Sequence, residues 1–245
     1  IRDSSYSSNE KKGLSNPVVG RTIEDKNGNL WIGTEGGGLN YYNRRTREFK
    51  WYRPQEGRNS ISHNNVKALY YDADKEIIWI GTHLGGLNKL DIRSGHFTHY
   101  RMEGNNPQSL PSDIIRDITP YKDLLIIATQ NGVCLFNPAN GQCRQLFKDS
   151  KEGKSIKMVA DVVFDSEGTL WIAATGEGVF SYRFDTRKLT NYRHDAANPN
   201  SLSNNNVNNI TQDSKGNLWF STSGSGLDLY RPETNDFENF DKGKN

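Results

Sequence analysis

The chain has 245 residues, 33% of them hydrophobic and 24% charged, with a net charge of +2. That length suits one large domain or one array, and the near-neutral, interspersed charge removes the electrostatic footprint of a nucleic-acid binder. No apolar run approaches the roughly 18 residues of a membrane-spanning helix. The sequence opens at Ile1 with no Met and no apolar leader, so it is expected to be processed or cut from something longer.

In chain order, one line recurs five times. Leu30-Trp31-Ile32-Gly33-Thr34 returns as Ile78-Trp79-Ile80-Gly81-Thr82 and as Leu125-Ile126-Ile127-Ala128-Thr129. It returns again as Leu170-Trp171-Ile172-Ala173-Ala174 and Leu218-Trp219-Phe220-Ser221-Thr222. The Trp-equivalent positions 31, 79, 126, 171 and 219 are spaced by 48, 47, 45 and 48 residues. A fixed period of this size marks a repeat architecture, whose usual role is recognition.

The first unit, residues 14–61, sets the pattern. A first strand leads to the turn Asp25-Lys26-Asn27-Gly28-Asn29, whose Asn, Asp and Gly tolerate the positive φ of a tight hairpin. The Leu-Trp-Ile-Gly-Thr strand follows. It is apolar on both faces, as befits a strand sandwiched between sheets. A Gly-rich turn, Glu35 to Gly38, precedes a third strand from Leu39 to Asn43, and a fourth ends in Phe49 and Tyr52. The units 62–110, 111–156, 157–202 and 203–240 repeat this plan. Their first strands include Val66 to Asp72 and Val207 to Asp213, and their third strands include Val179 to Phe184. Connectors such as Asn106-Pro107-Gln108-Ser109-Leu110 and Asn198-Pro199-Asn200-Ser201-Leu202 join them. With no helical periodicity, this predicts an all-β chain of five four-stranded antiparallel blades of a β-propeller, at least 18 strands in all by a rough estimate of four per blade. Every repeat Trp is expected to pack between blades.

The third unit departs from the rest: Ile126 replaces Trp, and Tyr121 stands where the turn Asp belongs. It also holds both cysteines, Cys134 and Cys143, flanking the turn Asn137 to Gly141. They read as a hairpin disulfide or as two packed thiols. Cys143 aligns with Phe49, Phe97, Leu189 and Phe237, a core position, and this alignment favours packed thiols.

The pattern Asp-x-x-Gly-Asn-Leu-Trp-Ile-Gly-Thr-x-x-Gly-Gly-Leu, with Asn-Pro-x-Ser-Leu-Ser-x-Asn-x-Val, resembles the two-component regulator propeller repeat. The resemblance runs from about Leu14 to Phe240. It implies a fragment of a larger propeller, in the periplasmic sensor region of a hybrid two-component system that responds to carbohydrates. Membrane span, kinase and DNA-binding parts would lie elsewhere in such a protein. No sugar-binding signature transfers with the resemblance.

The first strands of the blades are expected to line the recognition surface, on the face shared by Gly-rich turns and connectors. Arg21, Asp117, Asp161 and Asn209 occupy one equivalent position there, and Lys67, Arg116 and Asn208 the position before it. His63 and His83 stand near the strand starts and turns. Candidate ligand residues are therefore Arg21, Lys67, Arg116, Asp117, Asp161, Asn209, His63 and His83. Mixed donors and acceptors suit a polyhydroxylated ligand, although the Gly-rich turns lack an aromatic platform; the same residues could equally line a water-filled channel. A glycoside hydrolase would need a carboxyl pair, for which Asp117 and Asp161 are the best available. His96 and His99, three apart on a strand, point to opposite faces and make poor joint metal ligands. No cofactor or metal is expected. The reading is a non-catalytic sensor part that binds a small molecule or oligosaccharide, with a protein-binding scaffold as the alternative. The segment Ile1 to Tyr6 lacks the spacing of a fourth strand, so an arc completed by further blades or by another copy of the chain is expected.

Overall fold

The computed structural model describes residues 13–240 and contains five four-stranded sheets, each a meander in chain order. The first holds β1 (Val19–Glu24), β2 (Leu30–Thr34), β3 (Gly38–Asn43) and β4 (Glu48–Tyr52). The second holds β5 (Val66–Asp72), β6 (Ile77–Thr82), β7 (Leu87–Asp91) and β8 (Phe97–Tyr100). The third holds β9 (Ile115–Tyr121), β10 (Leu124–Thr129), β11 (Gly132–Asn137) and β12 (Gln142–Gln145). The fourth holds β13 (Val159–Phe164), β14 (Leu170–Ala174), β15 (Gly178–Arg183) and β16 (Lys188–Tyr192). The fifth holds β17 (Val207–Gln212), β18 (Leu218–Thr222), β19 (Gly226–Arg231) and β20 (Asp236–Phe240). These are twenty strands among the described residues, with a single 3-10 turn at Gly153–Ser155 as their helix content. The segment Ile1 to Tyr6 lies outside the described residues.

The chain divides into two compact units. One comprises the described residues up to Ile127 with Phe136–Arg144; the other comprises Ala128–Leu135 with the residues from Gln145 onward. In the first unit β5 packs beside both β1 and β9, and in the second β17 packs beside β13.

The repeated tryptophan packs each blade onto the next. Trp31 shares a buried cluster with Leu69, Ile78, Ile80, Leu90 and Phe97 of the second blade. Trp171 does the same with Ile210, Leu218, Phe220 and Phe237 of the fifth. Trp79 is 1% exposed and meets Phe136 edge-on at 5.5 Å. Trp219 is the exception, half-buried against Phe240 at 5.4 Å. Two residues after each Trp the side chain must be small. A Cβ on Gly81 would lie 2.5 Å from Ile115 Cγ2, where the next blade begins.

The Asn-Pro-x-Ser-Leu connector closes a hydrogen-bonding problem that every sheet has at its edge. The hydroxyls of Ser60, Ser109 and Ser201 accept from the backbone N–H of Gln55, Glu103 and Asp195, folding each connector on itself. The folded connector then caps the fourth strand of the following blade. Phe97 N–H donates to Asn59 Oδ1 at 2.7 Å, Cys143 N–H to the Gln108 carbonyl at 2.7 Å, and Phe237 N–H to the Asn200 carbonyl at 2.8 Å. Covered edges cannot pair with strands of other chains.

A polar clasp fastens the connector on the inner side. Ser15 N–H donates to Asn40 Oδ1 at 2.8 Å and Asn40 Nδ2 returns a bond to Ser15 Oγ at 2.7 Å. Ser62 and Asn88 repeat the clasp, and Ser203 donates to buried Asp228. In the third blade Pro111, which has no N–H, replaces the serine, and Cys134 replaces the asparagine. Here the structure corrects the packed-thiol expectation: neither cysteine is free, and Cys134 and Cys143 are disulfide-bonded. Cys143 is a core residue at 3% exposure, as its alignment implied. Its neighbour strand, however, carries at position 134 a bridged cysteine where the first, second and fifth blades carry a clasp residue.

Candidate functional site

The first strands β1, β5, β13 and β17 each have an irregular register near their start. The pairing shifts between Val66 and Ala68, between Val159 and Asp161, and between Val207 and Asn209, leaving Lys67, Ala160 and Asn208 as extra residues. In β1 the shift falls between Val19 and Thr22. A bulge re-aims the side chain it carries. Lys67 accordingly forms an ion pair with Glu35, in the Gly-rich turn of the preceding blade. Asn208 Nδ2 donates to Ser223 Oγ at 3.0 Å. The same face is tied together by backbone bonds from turn to connector: Gly38 N–H to Asn64, Gly86 N–H to Asp113 and Gly178 N–H to Asn205 carbonyls, at 2.7, 2.9 and 3.0 Å. Within each unit, Gly-rich turns and connectors therefore share a face.

The sequence-predicted residues fall into separate constellations. Arg21 Nη2 donates to Asp117 Oδ1 at 2.9 Å, with side chains 40% and 7% exposed. Arg21 lies on β1 and Asp117 on β9, and β5 packs beside both strands. In the other compact unit, buried Asp161 accepts from Asn209 Nδ2 at 2.9 Å and from the Ile210 N–H at 2.7 Å. Arg116 is half-buried, and its guanidinium has no ion pair or hydrogen bond among the described residues.

His63 and His83 come together in the first unit, ring centroids 6.5 Å apart. His63 Nδ1 accepts from the Asn65 N–H at 3.0 Å, which puts the proton of the neutral ring on Nε2. Burial, then the neighbouring His83 and Arg101, push the His63 pKa below its ordinary value. His83 Nδ1 is buried without a hydrogen-bond partner. Among the described residues no group of three or more His, Cys, Asp or Glu is arranged to hold a metal ion.

The sequence did not signal a cleft of 380 Å³ in the second unit, where the Asp-Gly turns of the fourth and fifth blades meet the end of β19. Asp165, Ser166, Glu167, Lys215, Tyr230 and Glu233 are among its lining.

Residues 13–36, 60–83 and 201–224 match the two component regulator propeller family model. The extracellular domain of a hybrid two component system from B. thetaiotaomicron is similar at 26% identity and a TM-score of 0.81, over 93% of this chain and 30% of that one. The extracellular domain of a one component system from the same organism aligns at 24% identity and a TM-score of 0.75, over 100% of this chain and 32% of that one. This chain thus spans about a third of the length of these extracellular domains, as a part of a larger propeller would. A catalytically inactive virginiamycin B lyase from Staphylococcus aureus shares the fold alone, at 13% identity and a TM-score of 0.69, over 95% of this chain and 73% of that one. No curated protein matches the chain.

Proposed function

Since the chain is built from repeats of the two-component regulator propeller family, we propose that it is a ligand-recognition part of the periplasmic sensor of a hybrid two-component signalling protein, and that its ligand is a carbohydrate. The observation that carries this reading is the similarity, across 93% of the chain, to the extracellular domain of a hybrid two component system. The face of Gly-rich turns supplies groups that a polyhydroxylated ligand uses. Arg116 brings an unengaged guanidinium, and His63 and His83 bring ring nitrogens able to donate or accept. Lys67 and Arg21, each already in an ion pair, add charge beside them.

Binding without chemistry is the reading favoured by the state of the two carboxylates a hydrolase would need. Asp117 faces a guanidinium, and Asp161 holds a backbone amide and a side-chain amide. Each is buried and already accepting from the protein, so neither offers an acid or nucleophile to a glycosidic oxygen.

Titration calorimetry of the chain against oligosaccharides from plant and host glycans tests the proposal. Saturable binding, with the saccharide recovered intact and weakened by Arg116→Ala, is the expected result. Failure of every saccharide to bind, alongside stoichiometric capture of a protein partner, would replace it with the scaffold reading. Release of shortened saccharide would replace it with hydrolysis.

A further inference from the structure

The same inter-blade groove occurs twice with opposite fillings. Between the first and second blades it is bridged by charge: Lys26 and Arg93 both pair with Glu76. The pairing of Lys89 with Trp79 and of Leu229 with Trp219 fixes the equivalences for the fifth blade. Glu76, three residues before Trp79, corresponds to Gly216. Arg93, four residues after Lys89, corresponds to Glu233. Lys26, which follows the turn Asp25, corresponds to Ser166, which follows Asp165. Every member of the ionic bridge is thus replaced, and between the fourth and fifth blades the groove stands open as the 380 Å³ cleft. One hydrogen bond, from Gln212 Nε2 to Ser166 Oγ at 3.3 Å, crosses it.

The open groove has the chemistry of a sugar site. Tyr230 replaces Leu90, and its half-buried ring rests on Trp171 at 4.7 Å, with its hydroxyl donating to Asn235 Oδ1 at 2.9 Å. That is a fixed aromatic surface beside polar groups, which the Gly-rich turns lack. Glu167, Lys215 and Glu233 line the cleft, and their side chains have no ion pair or hydrogen bond among the described residues. Arg231, the other cation of the lining, is engaged by Asp236 at 2.8 Å. Unengaged carboxylates therefore outnumber unengaged cations. Carboxylates accept from sugar hydroxyls and repel a second carboxylate.

We propose that this cleft is a subsite for a neutral mono- or disaccharide, with Tyr230 beneath the sugar ring and Glu167, Glu233 and Lys215 meeting its hydroxyls. The proposal rests on the carbohydrate reading above and adds a place and a charge preference, on residues separate from Arg21, Arg116 and the histidine pair.

The test transplants the closed groove into the open one. Ser166→Lys, Gly216→Glu and Glu233→Arg together rebuild the ionic bridge, and Glu76 already adopts a positive φ of 54° at the position of Gly216. Wild type and triple variant are titrated with glucose, galactose, mannose, cellobiose, lactose and glucuronate, with amide resonances followed by NMR. At least one neutral sugar should bind wild type, shift the resonances of Glu167, Lys215 and Glu233, and bind the triple variant roughly tenfold or more weakly, as when a site's polar partners are lost. Glu233→Gln, which leaves the cleft open, should weaken binding less. Equal binding to wild type and the triple variant, a preference for glucuronate, or shifts confined to Arg116 and the histidine pair would overturn the cleft and leave the carbohydrate reading standing. Binding by none of these sugars would overturn the cleft as well. The carbohydrate reading would then fall only if the wider oligosaccharide panel also failed. A triple variant that does not melt cooperatively transfers the decision to Glu233→Gln and the resonance shifts, which read the same site in a folded chain.

Discussion

Trp171 Nε1–H donates to Asp165 Oδ2 at 2.8 Å, while Oδ1 of the same carboxylate accepts from the backbone N–H groups of Glu167 and Thr169. The relationship recurs between Asp25 and Trp31 at 3.3 Å and between Asp213 and Trp219 at 3.1 Å. One side chain thus shapes the hairpin turn and orients the indole that packs the next blade. In the third blade both partners are absent together, as Tyr121 and Ile126.

Asp165→Ala should lower stability by about 1–3 kcal/mol, the cost of leaving buried donors unpaired. Asp165→Asn keeps one acceptor and should fall between it and wild type. Urea denaturation followed by tryptophan fluorescence checks both; an Ala variant within about 0.5 kcal/mol of wild type, the range of ordinary surface changes, would show that the turn holds itself.

The equivalent Asp213 carries the acid side of this behaviour. Hydrogen bonds from Asn217, then from Trp219, bring its pKa down to about 2. The unfolded value is near 3.9, so the folded state holds the proton less tightly. Its stabilising contribution is complete above the unfolded value and disappears as pH falls through the folded one. An NMR titration of the Asp213 carboxyl should give a midpoint near 2, moving upward in Trp219→Phe. A midpoint in the ordinary aspartate range would mean the indole bond does not persist in solution.

Gly81→Ala should cost about 1–3 kcal/mol by overpacking, since its Cβ would meet Ile115 Cγ2 at 2.5 Å and Ala68 Cβ at 2.9 Å. Ile115→Ala, which removes Cγ2, should make the two losses less than additive in the double variant. Independent, additive effects of the two substitutions would refute the contact.

Trp79→Ala removes an indole that is 1% exposed against Tyr100 and Phe136 and should cost roughly 3–5 kcal/mol. A change in unfolding free energy below about 0.5 kcal/mol would make the residue superficial.

Strands were legible because the repeat states its own periods. A line apolar on both faces, bounded by Asp-Gly and Gly-rich turns, has few alternatives to a strand between sheets. The cysteines misled because alignment was read one position at a time. Cys143 does occupy a core position, but the loss of the Ser–Asn clasp to Pro111 and Cys134 becomes visible only when the pair is considered together. Alignment likewise put Arg21 and Asp117 at one level without revealing that the guanidinium reaches from the first blade to the third. The cleft escaped notice because Ser166 and Gly216 are ordinary turn residues. Their meaning lies in what Lys26 and Glu76 do in the neighbouring groove.

The connector bonds also define where the protein can be recombined. Because Asn59 satisfies Phe97 and Asn200 satisfies Phe237, the portable module begins inside the connector that precedes a blade, not at its first strand. A graft or deletion cut at Val66 would carry away β8 without its cover and expose a fresh strand edge. The same exchange cut before Asn59 would transfer a finished unit. Gene duplication and loss by whole repeats can therefore lengthen or shorten such an array without an aggregation-prone intermediate, provided each breakpoint falls upstream of the asparagine.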